Sequence, residues 1–204
     1  AFSITHVNLT HRNWTAVGLP NCTQFPVIDP RGLLTPLYDG WSLDGWIMTE
    51  DGRSLLPSRV PFSKQQLVLS SGLAVSTTTQ QDGLRLLNHV EMIVDDGTNP
   101  VCHLQLQAQA NSSGWLVLAL RPYNPEGISF VHKVVLNDQR TAWCIDDKQR
   151  VVFNTAVDRH HVSDYRDGDV YIHLQDKTDQ HQAKCNLGML TAAAMFKLQA
   201  SAAR

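Results

Sequence analysis

The stretch Asp39-Gly40-Trp41-Ser42-Leu43-Asp44-Gly45-Trp46 interleaves two tryptophans with two carboxylates and two glycines, and Arg59 follows after Leu56-Pro57-Ser58. Sugars expose apolar C–H faces ringed by hydroxyls. A site for them needs flat aromatic rings to stack on and charged groups for paired hydrogen bonds. Trp41, Asp44, Trp46 and Arg59 supply that mix and are candidate carbohydrate-binding residues. The competing assignment is structural: two core tryptophans and an Asp44–Arg59 ion pair. A second stretch, Arg121-Pro122-Tyr123-Asn124-Pro125-Glu126-Gly127, directly follows an apolar run. Two prolines and a glycine fix the shape of such a loop, so Tyr123, Asn124 and Glu126 are held rather than floppy. Arg121, at the end of a buried strand, needs a partner, and Asp44 or Glu126 are the candidates.

Histidine is the other residue type that could do chemistry, with nine in the chain. His160-His161 with His173 and Asp158 would suit a transition metal by ligand type. Adjacent histidines on a strand point to opposite faces, however, and no His-x-His spacing occurs, so no metal is assigned. The four cysteines (Cys22, Cys102, Cys144, Cys185) are far apart and form no Cys-x-x-Cys pair. They read as free core thiols rather than a zinc site. No phosphate-cradling glycine loop or nucleophile elbow is present, and no cofactor is implied.

The elements that must position these residues are strands. Cys102, Leu104, Leu106, Ala108 and Ala110 alternate with His103, Gln105, Gln107 and Gln109, a period of two with one face buried. Leu84–Asp95 alternates likewise, between the turn pairs Asp82-Gly83 and Asp96-Gly97. Trp115–Leu120 is apolar on both faces, which predicts a central strand covered on each side. Further strands are expected at Leu73–Gln80, Ser129–Leu136, Arg140–Ile145, Arg150–Val157 and Asp169–Gln175. Met189–Leu198 contains three consecutive alanines, which favour helix. Its alternation of Leu190, Ala192, Ala194, Phe196 and Leu198 with the residues between them favours a strand, and strand is preferred. Strands about every ten residues with no helical crossover predict an all-β antiparallel sandwich, one domain over residues 1–204. Residues 1–65 differ: they hold six of the nine prolines and Trp14, Trp41 and Trp46, and read as a loop-rich part wrapping the sandwich. Asp29-Pro30-Arg31-Gly32 has the chemistry of a tight turn.

Composition limits the partners. Against 19 acidic residues stand 17 Lys and Arg, and no basic stripe appears, which removes electrostatic support for nucleic acid or an anionic membrane surface. Trp115–Leu120 is the longest apolar run, six residues, against the roughly 20 a membrane span needs. The pattern is that of a soluble protein, placed in the cytoplasm in preference to a secreted setting. The sequons at Asn8, Asn13, Asn21 and Asn111 matter only if the chain is secreted. The opening Ala-Phe-Ser lacks Met and a signal peptide, as expected of a processed, trimmed or partial chain.

Four motifs together point to a family. DPRGLLTP (Asp29–Pro36), DGWSLDGW (Asp39–Trp46), LPSR (Leu56–Arg59) and RPYNPEG (Arg121–Gly127) resemble the N-terminal β-sandwich of bacterial glycoside hydrolases related to amylo-glucosidases and glycogen-debranching enzymes. The resemblance spans roughly residues 5–200. It implies a supersandwich similar to galactose mutarotase, followed by a toroid of paired helices that carries the catalytic carboxylates. It further implies an oligosaccharide, glucan-like, as partner, with this domain binding sugar weakly or shaping the active site of the helical toroid. The resemblance thus leads to the expectation that this chain lacks the catalytic half. One alternative is a purely structural interdomain packing module, which predicts an exposed apolar patch. The other is an aldose 1-epimerase, pairing Glu126 or Glu91 with His89, His103 or His132 as base and acid.

Overall fold

The computed structural model describes residues 13–69, 72–95 and 99–201. The Asn8 sequon and the Asp96-Gly97 turn lie outside the described residues. In chain order the first strands are β1 Thr15–Ala16, β2 Val27–Ile28, β3 Leu34–Thr35, β4 Ser42–Thr49 and β5 Ser54–Leu55. Next come β6 Ser63–Leu69, β7 Leu73–Gln81, β8 Leu84–Asp95, β9 Asn99–Gln109 and β10 Gly114–Arg121. A hairpin β11 Tyr123–Asn124 and β12 Gly127–Ile128 leads to β13 Lys133–Leu136, β14 Ala142–Ile145 and β15 Gln149–Val152. The last are β16 Arg159–Ser163, β17 Gln182–Lys184 and β18 Thr191–Leu198. Two short 3-10 turns, Pro57–Arg59 and Val170–His173, are the helical pieces among the described residues.

The fold is all-β and sandwich-like, and every strand ladder is antiparallel. An eight-stranded sheet runs β1-β2-β3-β4-β10-β18-β16, with β5 on β4. Two four-stranded sheets, β6-β7-β8-β9 and β15-β14-β13-β17, pack on one of its faces. That inner face carries Leu43, Leu118, Leu120, Ala192 and Ala194. They share one core with Val75, Val90 and Met92 of the first small sheet and with Val134, Leu136, Trp143 and Ile145 of the second.

Local chemistry explains the strongest elements. Asp82 and Gly83 both hold positive φ, 51° and 77°, in a two-residue turn; that is the hairpin geometry whose twist matches the flanking strands. β8 then sends Leu84, Leu86, Val90 and Met92 inward at every second residue. β10 is buried on both faces, as expected of a strand between β4 and β18. Thr191–Leu198 is a strand, because its alternation places Ala192 and Ala194 in the main core and Ala193 and Met195 in a second one.

Two expectations are corrected. Asp169–Gln175 is not a strand. Val170 and Leu174 are buried while Ile172 is exposed, a spacing of four rather than two, and the Asp169 carboxylate caps the 3-10 turn by accepting from Tyr171 N. Residues 42–49, inside the loop-rich region, form β4, a central strand. The expected turn at residues 29–32 is present: Asp29 Oδ1 accepts from Arg31 N at 2.7 Å and Leu33 N at 2.9 Å, and Gly32 has φ +92°.

Candidate functional site

On a strand, side chains two apart share a face. Asp44 and Trp46 therefore point together to the outer face of the eight-stranded sheet, while Trp41 turns into the main core. The Trp41 indole N–H donates to the Gln149 side chain. Trp46 packs instead with Val117, Ala119, Ala193 and Met195, under Val170 and Leu174 of the segment that covers the outer face. The two tryptophans do not form one stacking surface.

Arg121 ends β10 on the outer face, fully buried. Its guanidinium grips Asp169 with two parallel N–H donations, Nη1 to Oδ1 at 2.8 Å and Nη2 to Oδ2. Its Nε donates to the Tyr123 hydroxyl at 3.2 Å, and the guanidinium carbon lies 5.3 Å from the Trp46 ring centroid. The expected partners Asp44 and Glu126 are thus replaced by Asp169, 48 residues along the chain; Glu126 stands exposed on the loop. A bidentate carboxylate two bonds wide satisfies the planar guanidinium better than a single distant oxygen. Asp169 also caps the 3-10 turn, and Val170 N donates to Thr191 Oγ1 at 3.0 Å, so one residue ties the covering segment to the sheet.

Electrostatics follow burial. Asp44 is pushed up to about 7 by burial, although the Trp46 indole and the Arg121 charge pull the other way. Burial likewise raises the Tyr123 phenol to about 12 against the pull of Arg121. Burial alone would lower the Arg121 guanidinium, but Tyr123 and Asp169 more than offset it and its pKa rises. Arg59 lies exposed at the rim, 4.7 Å over the Tyr171 ring, and Tyr171 meets Trp46 edge-on at 5.9 Å. Asp44, Trp46, Arg121 and Tyr123 thus converge on one layer of charge and aromatic rings and are buried there, while Asn124 is buried among the loops and Trp41 in the main core on the other face.

Asn124 braces the loops. Its Oδ1 accepts from Glu126 N and Gly127 N, and its Nδ2 donates to Gly40 O at 2.9 Å. The turn at residues 37–40 and the β11–β12 hairpin are locked together. These linked loops expose Tyr38, stacked on Phe25 at 5.6 Å, together with Ile128, and Phe130 follows just beyond.

Of the base and acid pairs open in the sequence, Glu91 is brought between two histidines. His103 Nδ1 lies 3.2 Å from Glu91 Oε1, His89 Nε2 lies 3.9 Å from Oε2, and Ser76 Oγ holds His89 Nδ1 at 2.7 Å. His132 and Glu126 lie on separate exposed loops. His160 faces the inner core, where Trp143 Nε1 donates to its Nε2 at 2.8 Å and Gln180 O accepts from its Nδ1. Burial pushes it down to about 4. His161 turns outward, into a cleft with His173 and Asp176. Among the described residues no three His, Cys, Asp or Glu side chains converge as a metal would require. The four cysteines are unpaired thiols, and burial raises Cys102 to about 12. No described helix is long and apolar enough to cross a membrane.

Asp169, Tyr171 and Thr191 were not visible as site residues from the sequence. The available signal was only indirect: a buried arginine demands a carboxylate. Comparison with protein-family models, with curated proteins and with solved structures returns no match.

Proposed function

We propose that this chain is a non-catalytic β-sandwich module that packs against a helical catalytic domain of a glycoside-hydrolase-like protein and shapes that domain's carbohydrate site. The observation that carries this reading is the burial of six of the eight candidate sugar residues, while large apolar side chains stand exposed on the loops that Asn124 braces. A sugar cannot stack on Trp46 beneath Val170 and Leu174. Tyr38, Ile128 and Phe130, exposed on or next to the linked loops, can instead be covered by another domain, as the family resemblance implies. The test is a titration of the chain with glucose, maltose and maltotriose, followed by tryptophan fluorescence. A flat response is expected. Saturable binding that Trp46→Phe weakens would overturn the packing role in favour of direct sugar binding.

The aldose 1-epimerase reading has one specific observation behind it, the carboxylate of Glu91 flanked by His89 and His103 on the outer face of β8 and β9. Polarimetry of α-glucose decides it. The packing role expects the uncatalysed rate with the wild type and with Glu91→Gln alike, and an accelerated rate lost in Glu91→Gln would establish the enzyme.

A further inference from the structure

The edges of the three large sheets are not protected equally. β16 ends the eight-stranded sheet, and its outer side is occupied: Asp179 Oδ1 accepts from His160 N, and Gln180 N donates to His160 O. β15 is four residues long and carries Arg150. β6 carries Lys64. Short length, charge and covering segments are the ordinary guards against a second chain adding to a sheet.

Among the described residues, β9 has none of these. It pairs with β8 along all of Asn99–Gln109 and is the terminal strand of its sheet. Eleven residues long, it contains no Lys, Arg, Asp or Glu, and Pro100 near its start is the one residue without a backbone donor. Its inward row, Cys102, Leu104, Leu106 and Ala108, is only half buried although it packs on the core. Its outward row, Asn99, Val101, His103, Gln105, Gln107 and Gln109, is exposed and, Val101 aside, consists of groups that can both donate and accept.

This pattern is self-complementary. Antiparallel pairing about a two-fold axis at Leu104 sets Cys102 opposite Leu106 of the partner subunit, and His103 opposite Gln105 of the partner subunit. Apolar faces apolar on the inner row and amide faces imidazole or amide on the outer one, except that Val101 meets Gln107 of the partner subunit, and no like charges meet. A two-fold axis centred on any residue keeps inner residues opposite inner ones and outer opposite outer, because positions then pair with the same parity.

We propose that β9 pairs antiparallel with β9 of a second copy of this chain, joining the two four-stranded sheets into one sheet that runs through a dimer. The added strand covers the half-exposed inner row and satisfies the open backbone groups on both copies.

Analytical ultracentrifugation of the full chain, under reducing conditions to keep the thiols apart, tests this. The wild type is expected to dimerise reversibly to twice 22.8 kDa. Gln105→Lys with Gln107→Lys changes only outward side chains, so the circular dichroism and Tm should hold. The dimer should weaken on the order of 100-fold or more, because like charges then crowd the two-fold axis. Gln105→Glu with Gln107→Glu should do the same, and an equimolar mixture of the two variants should restore the dimer. A wild type that stays monomeric at every concentration overturns the proposal. So does a dimer indifferent to the lysines, or a mixture that fails to recover.

Discussion

The two faces of the eight-stranded sheet are closed by different physics. On the inner face, two further sheets bury leucines, valines and Trp143 against Leu118, Leu120 and Ala192. On the outer face the strands carry small residues, Ala119 and Ala193, beside Asp44, Trp46 and Arg121, and the 3-10 turn Val170–His173 covers them together with Leu56. Apolar burial on the inner side is proportional to area and tolerant of partner identity. The outer side depends on one ion pair, because a buried guanidinium without its carboxylate is far worse than no charge at all. A face closed by one specific pair is suited to fixing loops at set positions. A face closed by area is suited to holding the domain together.

Removing one member of the outer pair has the largest expected effect. Arg121→Ala should destabilise the chain by about 3–5 kcal/mol, since Asp169 is left buried and uncompensated. Arg121→Met combined with Asp169→Leu should recover most of that loss, because the replaced pair no longer demands a partner. Trp143→Ala on the inner face should cost about 3–5 kcal/mol by leaving a cavity. Urea midpoints of the three variants check this; a double variant no better than Arg121→Ala would break the contrast.

The two faces should also respond oppositely to pH. Asp44, on the outer face, holds its proton to about pH 7 when folded, against the ordinary 3.8 when unfolded. The folded state therefore binds more protons across that window, and the Asp44 contribution falls as pH rises from about 4 and is lost as pH passes 7. His160, on the inner face, drops to about 4 when folded, against 6.5 when unfolded. There the unfolded state binds more protons, so stability is present above 6.5 and is lost as pH falls toward 4. Each swing is on the order of 3 kcal/mol, and between pH 4 and 6.5 they oppose. Urea midpoints across pH 4 to 8 should expose a fall with rising pH in His160→Asn and a rise in Asp44→Asn. The same slope in both variants would contradict the assignment.

Smaller effects sharpen the picture. Ala193→Leu should cost about 1–3 kcal/mol by overfilling the tight outer layer beside Trp46. Glu126→Ala, on the exposed loop, should change stability by less than about 0.5 kcal/mol. Thermal melts of these two variants measure both.

What was legible in the sequence follows from range. The alternation in residues 84–95 and 102–109 is local, and those strands are where the pattern puts them. β4 was hidden because Asp44 and Gly45 sit mid-strand, where both residue types are poor strand formers. Asp44 is tolerated because burial keeps it protonated to about pH 7. Gly45 is suited to its place because a Cβ there would meet Leu106 at 3.1 Å. Residues 169–175 alternate as a strand would, but the Arg121–Asp169 tie and the Asp169 cap decide their shape. That tie spans 48 positions, and no spacing rule reaches so far. The separation of Trp41 from Trp46 was hidden with β4: Trp41 lies just before the strand and turns into the main core, while Trp46 faces the outer side.

The central claim is that the layer built on Arg121, Asp169, Asp44 and Trp46 is a sealed framework that positions the exposed loops. Hydrogen exchange of the wild-type chain, with and without saturating maltotriose, tests it most directly at residues 36–46, 121–128 and 168–174. The framework account predicts the same slow exchange in both conditions, with 121–128 and 168–174 opening only when Arg121 is replaced. Sugar-dependent protection of those segments in the wild type would contradict it.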